Sequence, residues 1–269
     1  MSDNIRILTD NGAETAIFCG KSEEAKDVLN PKNIANQILS AGLNWVDSFD
    51  FHRAETLEHQ QKLDSLCQSS NLIAVMAMGW DPGIDSMIRA IMKFSLPGEH
   101  KTLVTFGPGM SMGHTTSLLS LVGVANAIQI TEPGEARGTQ NRRCFIALKS
   151  GVSADKIEEL IRTSPRFADA VELFIYFVSP EEVAERRRNM FHGGEIYRGE
   201  TNEEDSVNFM RYEMRTESNP GFTAQLLLAG AQAVQRIKER LGPGAYTPID
   251  VPLWYFLPLS REEAIVQLV

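Results

Sequence analysis

Three acidic residues and an indole sit at the ends of two apolar, β-prone runs: Asp47 and Asp50 close NWVDSFD, and Trp80 and Asp81 follow NLIAVMAMG. In an open α/β sheet, ligands collect at the carboxyl ends of the strands, so Asp50 and Asp81 are placed to share a crevice. Two carboxylates beside an aromatic wall suit an ammonium group. They balance its charge, and either can take a proton from it. Plainer duties fit the same residues: Asp81 as a helix N-cap ahead of Pro82, Asp50 as a turn residue. A second set is scattered along the chain: Thr131, Arg142, His192 and Asn219. A guanidinium recognises a carboxylate through two parallel hydrogen bonds, and the other three are neutral or switchable hydrogen-bonding groups. Together the two sets describe a pocket for a zwitterion.

Phe106–Thr116, FGPGMSMGHTT, carries glycines at 107, 109 and 113 after an apolar run. The spacing is GxGxxxG rather than the GxGxxG of a pyrophosphate loop, and Pro108 stiffens the turn. Two readings stay open: a cofactor loop, and a tight turn whose bare backbone approaches some other ligand.

These residues need elements to hold them. TAIFCG reads as a short strand, NWVDSFD as the next and NLIAVMAM as a third. Between them, a helix capped at Asn30-Pro31 carries Ile34, Ile38 and Leu39, and a second carries Leu57, Leu63 and Leu66. Strand and helix in this alternation predict a parallel sheet, part of a nucleotide-binding domain. DPGIDSMIRAIMKF then predicts a helix with Asp81 as cap and Pro82 as its first residue. Strand-like runs follow at Thr102–Phe106, Asn126–Ile130, Arg143–Lys149, Ala170–Val178 and Ser206–Met214, with one helix, Ser153 to Arg162. That pattern predicts an α+β domain with a mostly antiparallel sheet. A long helix from Asn219-Pro220 and a capping box, Ser260 to Glu263, close the chain. The expected division is 1–80, 81–218 and 219–269.

Bulk properties exclude several classes. The 269 residues are 43% hydrophobic and 23% charged, ordinary for a globular protein. No run approaches the about 18 apolar residues of a membrane span, and the N-terminus lacks a signal-peptide core, so a cytoplasmic protein without a membrane partner is expected. A formal charge of -9 argues against nucleic acid. The three cysteines, Cys19, Cys67 and Cys144, are far apart and sit in or beside apolar runs, so buried thiols are expected. The five histidines show no metal-binding spacing, and no metal is expected. Arg186, Arg187 and Arg188 read as a solvated helix face.

Seven segments in order, VDSFDFHR, GWDPGIDSMIRA, FGPGMSMGHT, NRRCF, the HGG within Phe191–Gly194, NPGFTAQ and GAYTPIDVP, resemble the meso-diaminopimelate dehydrogenases. The chain is similar in particular to their thermostable branch, from about residue 15 to the C-terminus. The resemblance implies reversible NADP-dependent oxidative deamination at the D-centre of meso-2,6-diaminopimelate, giving L-2-amino-6-oxopimelate, ammonia and NADPH. It implies that Asp50, Trp80 and Asp81 surround the reacting amino centre, with Asp81 and Asp50 as catalytic carboxylates. Phe106, Met112 and Gly113 line the substrate loop, so FGPGMSMGH belongs to the substrate. Thr131, Arg142, His192 and Asn219 hold the distal L-amino-acid end. Cys19, Gly20, Lys21, Ser22, Ser48, Phe49, Asp50, Gly79 and Trp80 border the cofactor.

Family members begin with a strand and a GYGNxG-type loop followed by basic residues, and this sequence contains neither. The expectation is therefore a partial Rossmann-like parallel sheet plus an α+β substrate and dimerisation domain, forming a homodimer. The missing loop would come from a trimmed start or from a separate N-terminal fragment. The alternative is a substrate-domain homologue that binds a diamino acid, or dimerises, without oxidoreductase activity.

Overall fold

The computed structural model describes residues 3–199 and 208–269. In chain order the first elements are α1 (Asp3–Asp10), β1 (Thr15–Phe18), α2 (Ile34–Ser40), β2 (Asn44–Asp47), α3 (Ala54–Ser70), β3 (Ile73–Val75) and α4 (Ile84–Ser95). Then come β4 (Lys101–Phe106), β5 (Gly109–Met110), α5 (Met112–Leu119), β6 (Val124–Pro133), β7 (Gln140–Leu148), α6 (Ala154–Arg162), β8 (Leu173–Phe177) and α7 (Pro180–Arg186). β9 (His192–Gly199), β10 (Phe209–Thr216), α8 (Asn219–Arg240), β11 (Gly244–Tyr246) and α9 (Arg261–Leu268) complete the series. The chain divides into two units, Met1–Ala90 with Thr223–Val269, and Ile91–Phe222.

The first unit is built on four parallel strands in the order β1-β2-β3-β11. β2 and β3 are buried along their whole length, which is why their sequences are continuous apolar runs and not alternating ones. Successive side chains still point to opposite faces. Trp45 packs with Ile5, Leu39, Leu63 and Met76 on one side, while Val46 packs with Ile73, Val75, Leu227 and Ile237 on the other.

Two expected caps are displaced. α2 is capped by Asn33, whose side chain accepts from the Ala35 N–H. Asn30 instead caps a turn, its Oδ1 accepting from the Lys32 N–H at 3.0 Å. Asp81 and Pro82 lie outside α4: Gly83 has φ 148°, and the first helical N–H groups, of Ile84 and Asp85, donate to Gly79 and Trp80 carbonyls. The Asp81 carboxylate is therefore not needed as a cap.

The second unit has two sheets where one was expected. β10-β9-β4 is antiparallel throughout. β5-β6-β7-β8 is antiparallel until its last pair, β7 with β8, which runs parallel across a connection through α6. One face of this second sheet packs Leu118, Ala127, Cys144, Ile146, Ile157 and Ile161, the other Met110, Ile128, Phe145 and Val183. The strand expected over Ser206–Met214 runs Phe209–Thr216; Ser206 and Val207 lie outside the described residues. Cys67 and Cys144 are buried, whereas Cys19 is exposed just past the end of β1. The basic cluster is not wholly solvated: Arg186 lies 3.9 Å over the Phe145 ring.

Candidate functional site

In the first unit, the chain leaves β2 through Ser48, Phe49 and Asp50 and leaves β3 through Gly79, Trp80 and Asp81. Asp47 ties these two exits together. It is fully buried, accepts from the Trp45 indole, and its Oδ1 accepts from the N–H of Phe49 at 3.0 Å and of Ala77 at 3.1 Å. Burial lifts its pKa to about 6 despite those donors. The turn after β3 is equally constrained. A Cβ on Gly83 would come within 2.0 Å of the Gly79 carbonyl oxygen, so only glycine fits there.

His52 joins the two exits. Its Nε2 lies 2.6 Å from Asp50 Oδ1, and its Nδ1 lies 3.9 Å from Asp81 Oδ1. The hydrogen bond to Asp50 raises the imidazole pKa, burial opposes it, and the charge of Asp81 adds to the rise. Asp81 continues into a third carboxyl, Asp85, which is itself fully buried. Burial raises both pKa values, that of Asp85 to about 7. Two neighbouring carboxyls cannot both ionise cheaply, and burial together with the charge of Asp81 favours the neutral form of Asp85. Arg89 Nη2, 3.0 Å from Asp85 Oδ2, moderates that rise. The cluster suits an ammonium ion that loses a proton near neutral pH.

The glycines and small side chains at these strand ends also suit a flat cofactor ring. Gly20, Ser22, Ser48 and Gly79 follow β1, β2 and β3. The Asp50 N–H donates to Ser22 Oγ at 3.2 Å, which brings the β1 exit to the β2 exit. Lys21 is exposed and Phe49 buried beneath the crest. These residues fit the nicotinamide end of a dinucleotide. Among the described residues no glycine loop joins a strand to a helix in the manner a pyrophosphate requires.

In the second unit, the glycine-rich loop is held by protein, and its glycines serve that contact. A Cβ on Gly107 would meet the Thr131 carbonyl oxygen at 2.6 Å, and one on Gly109 the Phe191 carbonyl oxygen at 2.4 Å. The Met110 carbonyl accepts from Asn219 Nδ2 at 2.7 Å, and His192 makes a second hydrogen bond to the Met110 backbone. Burial drives the His192 pKa down to about 4, so the ring is neutral. Asn219, expected at the distal end of the substrate, also fastens the loop. Gly109 pairs with Thr131 on β6, Thr131 pairs with Arg142 on β7, and Phe106 pairs with Gly194 on β9. Met112 and Gly113 open α5 beside them.

The second unit therefore gathers Phe106, Met112, Gly113, Thr131, Arg142, His192 and Asn219. The first gathers Asp50, Trp80 and Asp81 with the residues of the strand exits, Cys19 at the far edge. Sequence reasoning missed His52, Asp85, His114 and Asp169. His52 and His114 lie inside quoted motifs. Asp85 lies in the quoted GWDPGIDSMIRA, in the first turn of α4. Asp169 gave no local signal. Among the described residues, no group of three or more potential metal ligands forms, and no helix is long and apolar enough to cross a membrane.

Residues 79–218 match the diaminopimelic acid dehydrogenase C-terminal domain. A meso-diaminopimelate D-dehydrogenase of Ureibacillus thermosphaericus is 31% identical over 285 residues, covering 98% of this chain and 85% of the relative. That of Acetivibrio thermocellus is 32% identical over 278 residues, covering 97% and 80%. Among solved structures, C. glutamicum DAP dehydrogenase in complex with DAP superimposes with a TM-score of 0.84 at 26% identity, over 99% of this chain and 84% of that one. An engineered D-amino acid dehydrogenase bound to NADP+ shares the fold, with a TM-score of 0.84 at 24% identity over 99% and 85%.

Proposed function

The chain belongs to the meso-diaminopimelate dehydrogenase family, and from that premise we propose that it carries out NADP-dependent oxidative deamination of meso-2,6-diaminopimelate at its D-centre, reversibly. The observation that carries the assignment of roles is His52 within reach of both Asp50 and Asp81, at 2.6 and 3.9 Å. It sets two carboxylates around one position beside Trp80.

Asp50 and Asp81 hold the D-ammonium. Asp81, with its raised pKa, takes the proton that must leave nitrogen before the α-carbon can give up hydride. Gly20, Ser22, Ser48 and Gly79 would hold the nicotinamide end of NADP+, which would supply the hydride acceptor. The same carboxylates then orient the water that adds to the substrate's imine carbon, and the carbon–nitrogen bond breaks to release ammonia and L-2-amino-6-oxopimelate. Thr131, Arg142, His192 and Asn219 take the distal end and so fix which α-carbon reacts. Phe106, Met112 and Gly113, in the same unit as those four residues, border the substrate beside that distal end.

A separate N-terminal segment with a glycine loop would complete the hold on the pyrophosphate. The protein works as a homodimer joined through Ile91–Phe222, in the cytoplasm. Exposed Phe209 and Tyr176, 49% and 37% accessible, support an apolar contact there. Light scattering giving twice the chain mass, reduced by Phe209→Glu, is the result expected.

Calorimetric binding of meso-diaminopimelate tests the site itself. Asp50→Asn should weaken binding about tenfold, the worth of one charge-assisted hydrogen bond. Unchanged affinity would remove Asp50 from the ammonium site.

A further inference from the structure

Arg142, the side chain that would anchor the distal carboxylate of the substrate, already grips a carboxylate of its own chain. Its Nε donates to Asp169 Oδ1 at 3.1 Å and its Nη2 to Asp169 Oδ2 at 2.5 Å. This is the two-bond fork a substrate carboxylate would use. Gln140 Nε2 donates to the same Asp169 Oδ2 at 2.8 Å. The remaining side of the guanidinium is also engaged: Nη1 donates to Thr131 Oγ1 and to His114 Nδ1, each at 3.3 Å. His114 is itself oriented, with its Nε2 2.9 Å from the Arg166 carbonyl and its Nδ1 2.8 Å from Ser111 Oγ.

The two partners differ in freedom. The Arg142 side chain is 4% exposed and lies on β7, whereas Asp169 is 48% exposed and lies in the connection between α6 and β8. Arg142 has nowhere to go, and Asp169 has solvent to swing into. Burial raises the Asp169 pKa, and the bonds and charge of Arg142 more than reverse it, so the group is an anion at neutral pH and competes as one.

We propose that Asp169 is a specificity-determining residue of the distal subsite, an internal carboxylate that occupies the Arg142 fork and must be displaced before a substrate's distal carboxylate can bind. An intramolecular competitor acts at an effective concentration in the millimolar range or above. It therefore weakens ligands that carry a distal carboxylate and leaves those without one unaffected. This rests on the diaminopimelate reading above and deepens it: Asp169 sets how tightly the distal carboxylate of the dicarboxylate substrate is held.

Calorimetric titration of the full chain with meso-diaminopimelate and with D-norleucine, which lacks the distal carboxylate, tests this. Asp169→Asn keeps the shape and one acceptor but loses the charge; Asp169→Ser is too short to reach the fork and guards against a folding defect particular to one variant. Both should bind meso-diaminopimelate at least about tenfold more tightly than the unaltered protein, with D-norleucine affinity unchanged. If the unaltered protein binds meso-diaminopimelate and the variants bind it no better, Asp169 is no competitor and the inference falls alone. If neither unaltered protein nor variant binds meso-diaminopimelate, the functional reading falls and takes the inference with it.

Discussion

His52 and Asp50 form a close pair, imidazole Nε2 to carboxylate Oδ1, at 2.6 Å. Because the pairing raises the imidazole pKa above its ordinary value, the folded state binds the proton more tightly than the unfolded chain. The stability it adds is fully present below about pH 6.5, the unfolded value, and is lost as pH rises through the folded one. His52→Gln should therefore lower the melting temperature at pH 6 and leave it nearly unchanged at pH 9. The ring is 46% exposed, so solvent screening limits the loss to about 1 kcal/mol or less. Equal destabilisation at both pH values would show that the ring only packs.

Asp85 carries the opposite kind of lesson. Its pKa is raised to about 7 by burial first and by the Asp81 charge second. A raised acid favours the folded state at low pH; the penalty grows between about pH 4 and pH 7 and is complete above that. Asp85→Asn should accordingly gain on the unaltered protein across that window and be more stable by about 1 kcal/mol or more at pH 8. Chemical denaturation at pH 4.5 and pH 8 measures the difference. A constant gap would contradict a raised Asp85 pKa in the folded protein.

Asp47 is a scaffold for the site. Its carboxylate collects the Trp45 indole and the Phe49 and Ala77 N–H groups. Asp47→Ala strands three buried donors and should cost about 3 kcal/mol or more in a urea titration. Asp47→Asn, which keeps an acceptor, should cost less. A loss below about 1 kcal/mol would mean that the exits of β2 and β3 hold their shape without it.

Much of this was legible in the chain. Buried parallel strands announce themselves as short apolar runs, so TAIFCG, NWVDSFD and NLIAVMAM stood out, and polar residues at their ends pointed to Asp50 and Asp81. The glycine count around FGPGMSMGH signalled close backbone approach without saying to what; only the pairing of Gly109 with Thr131 supplies the neighbour. β9 was hidden because HGG lacks β-forming side chains, yet a Cβ at Gly193 would press on the Met214 carbonyl at 3.1 Å. Spacing pointed to Asn30-Pro31 and Asp81-Pro82 as helix starts, but proline adjacent to a cap fits a turn as well, and tertiary contacts chose Asn33 and Ile84. Asp169 lies 27 residues from Arg142, across a crossover whose parallel register no local pattern encodes.

The account stands or falls on proton removal by Asp81 beside bound substrate. The measurement is NADPH formation from NADP+ and meso-diaminopimelate by the chain supplied with a glycine-loop N-terminal segment, with ammonia assayed in parallel. The account predicts NADPH and ammonia in equal amounts, and a fall in kcat of about a hundredfold or more in Asp81→Asn with KM little changed. Absence of substrate-dependent NADPH, or an Asp81→Asn enzyme that turns over at the original rate, would contradict it.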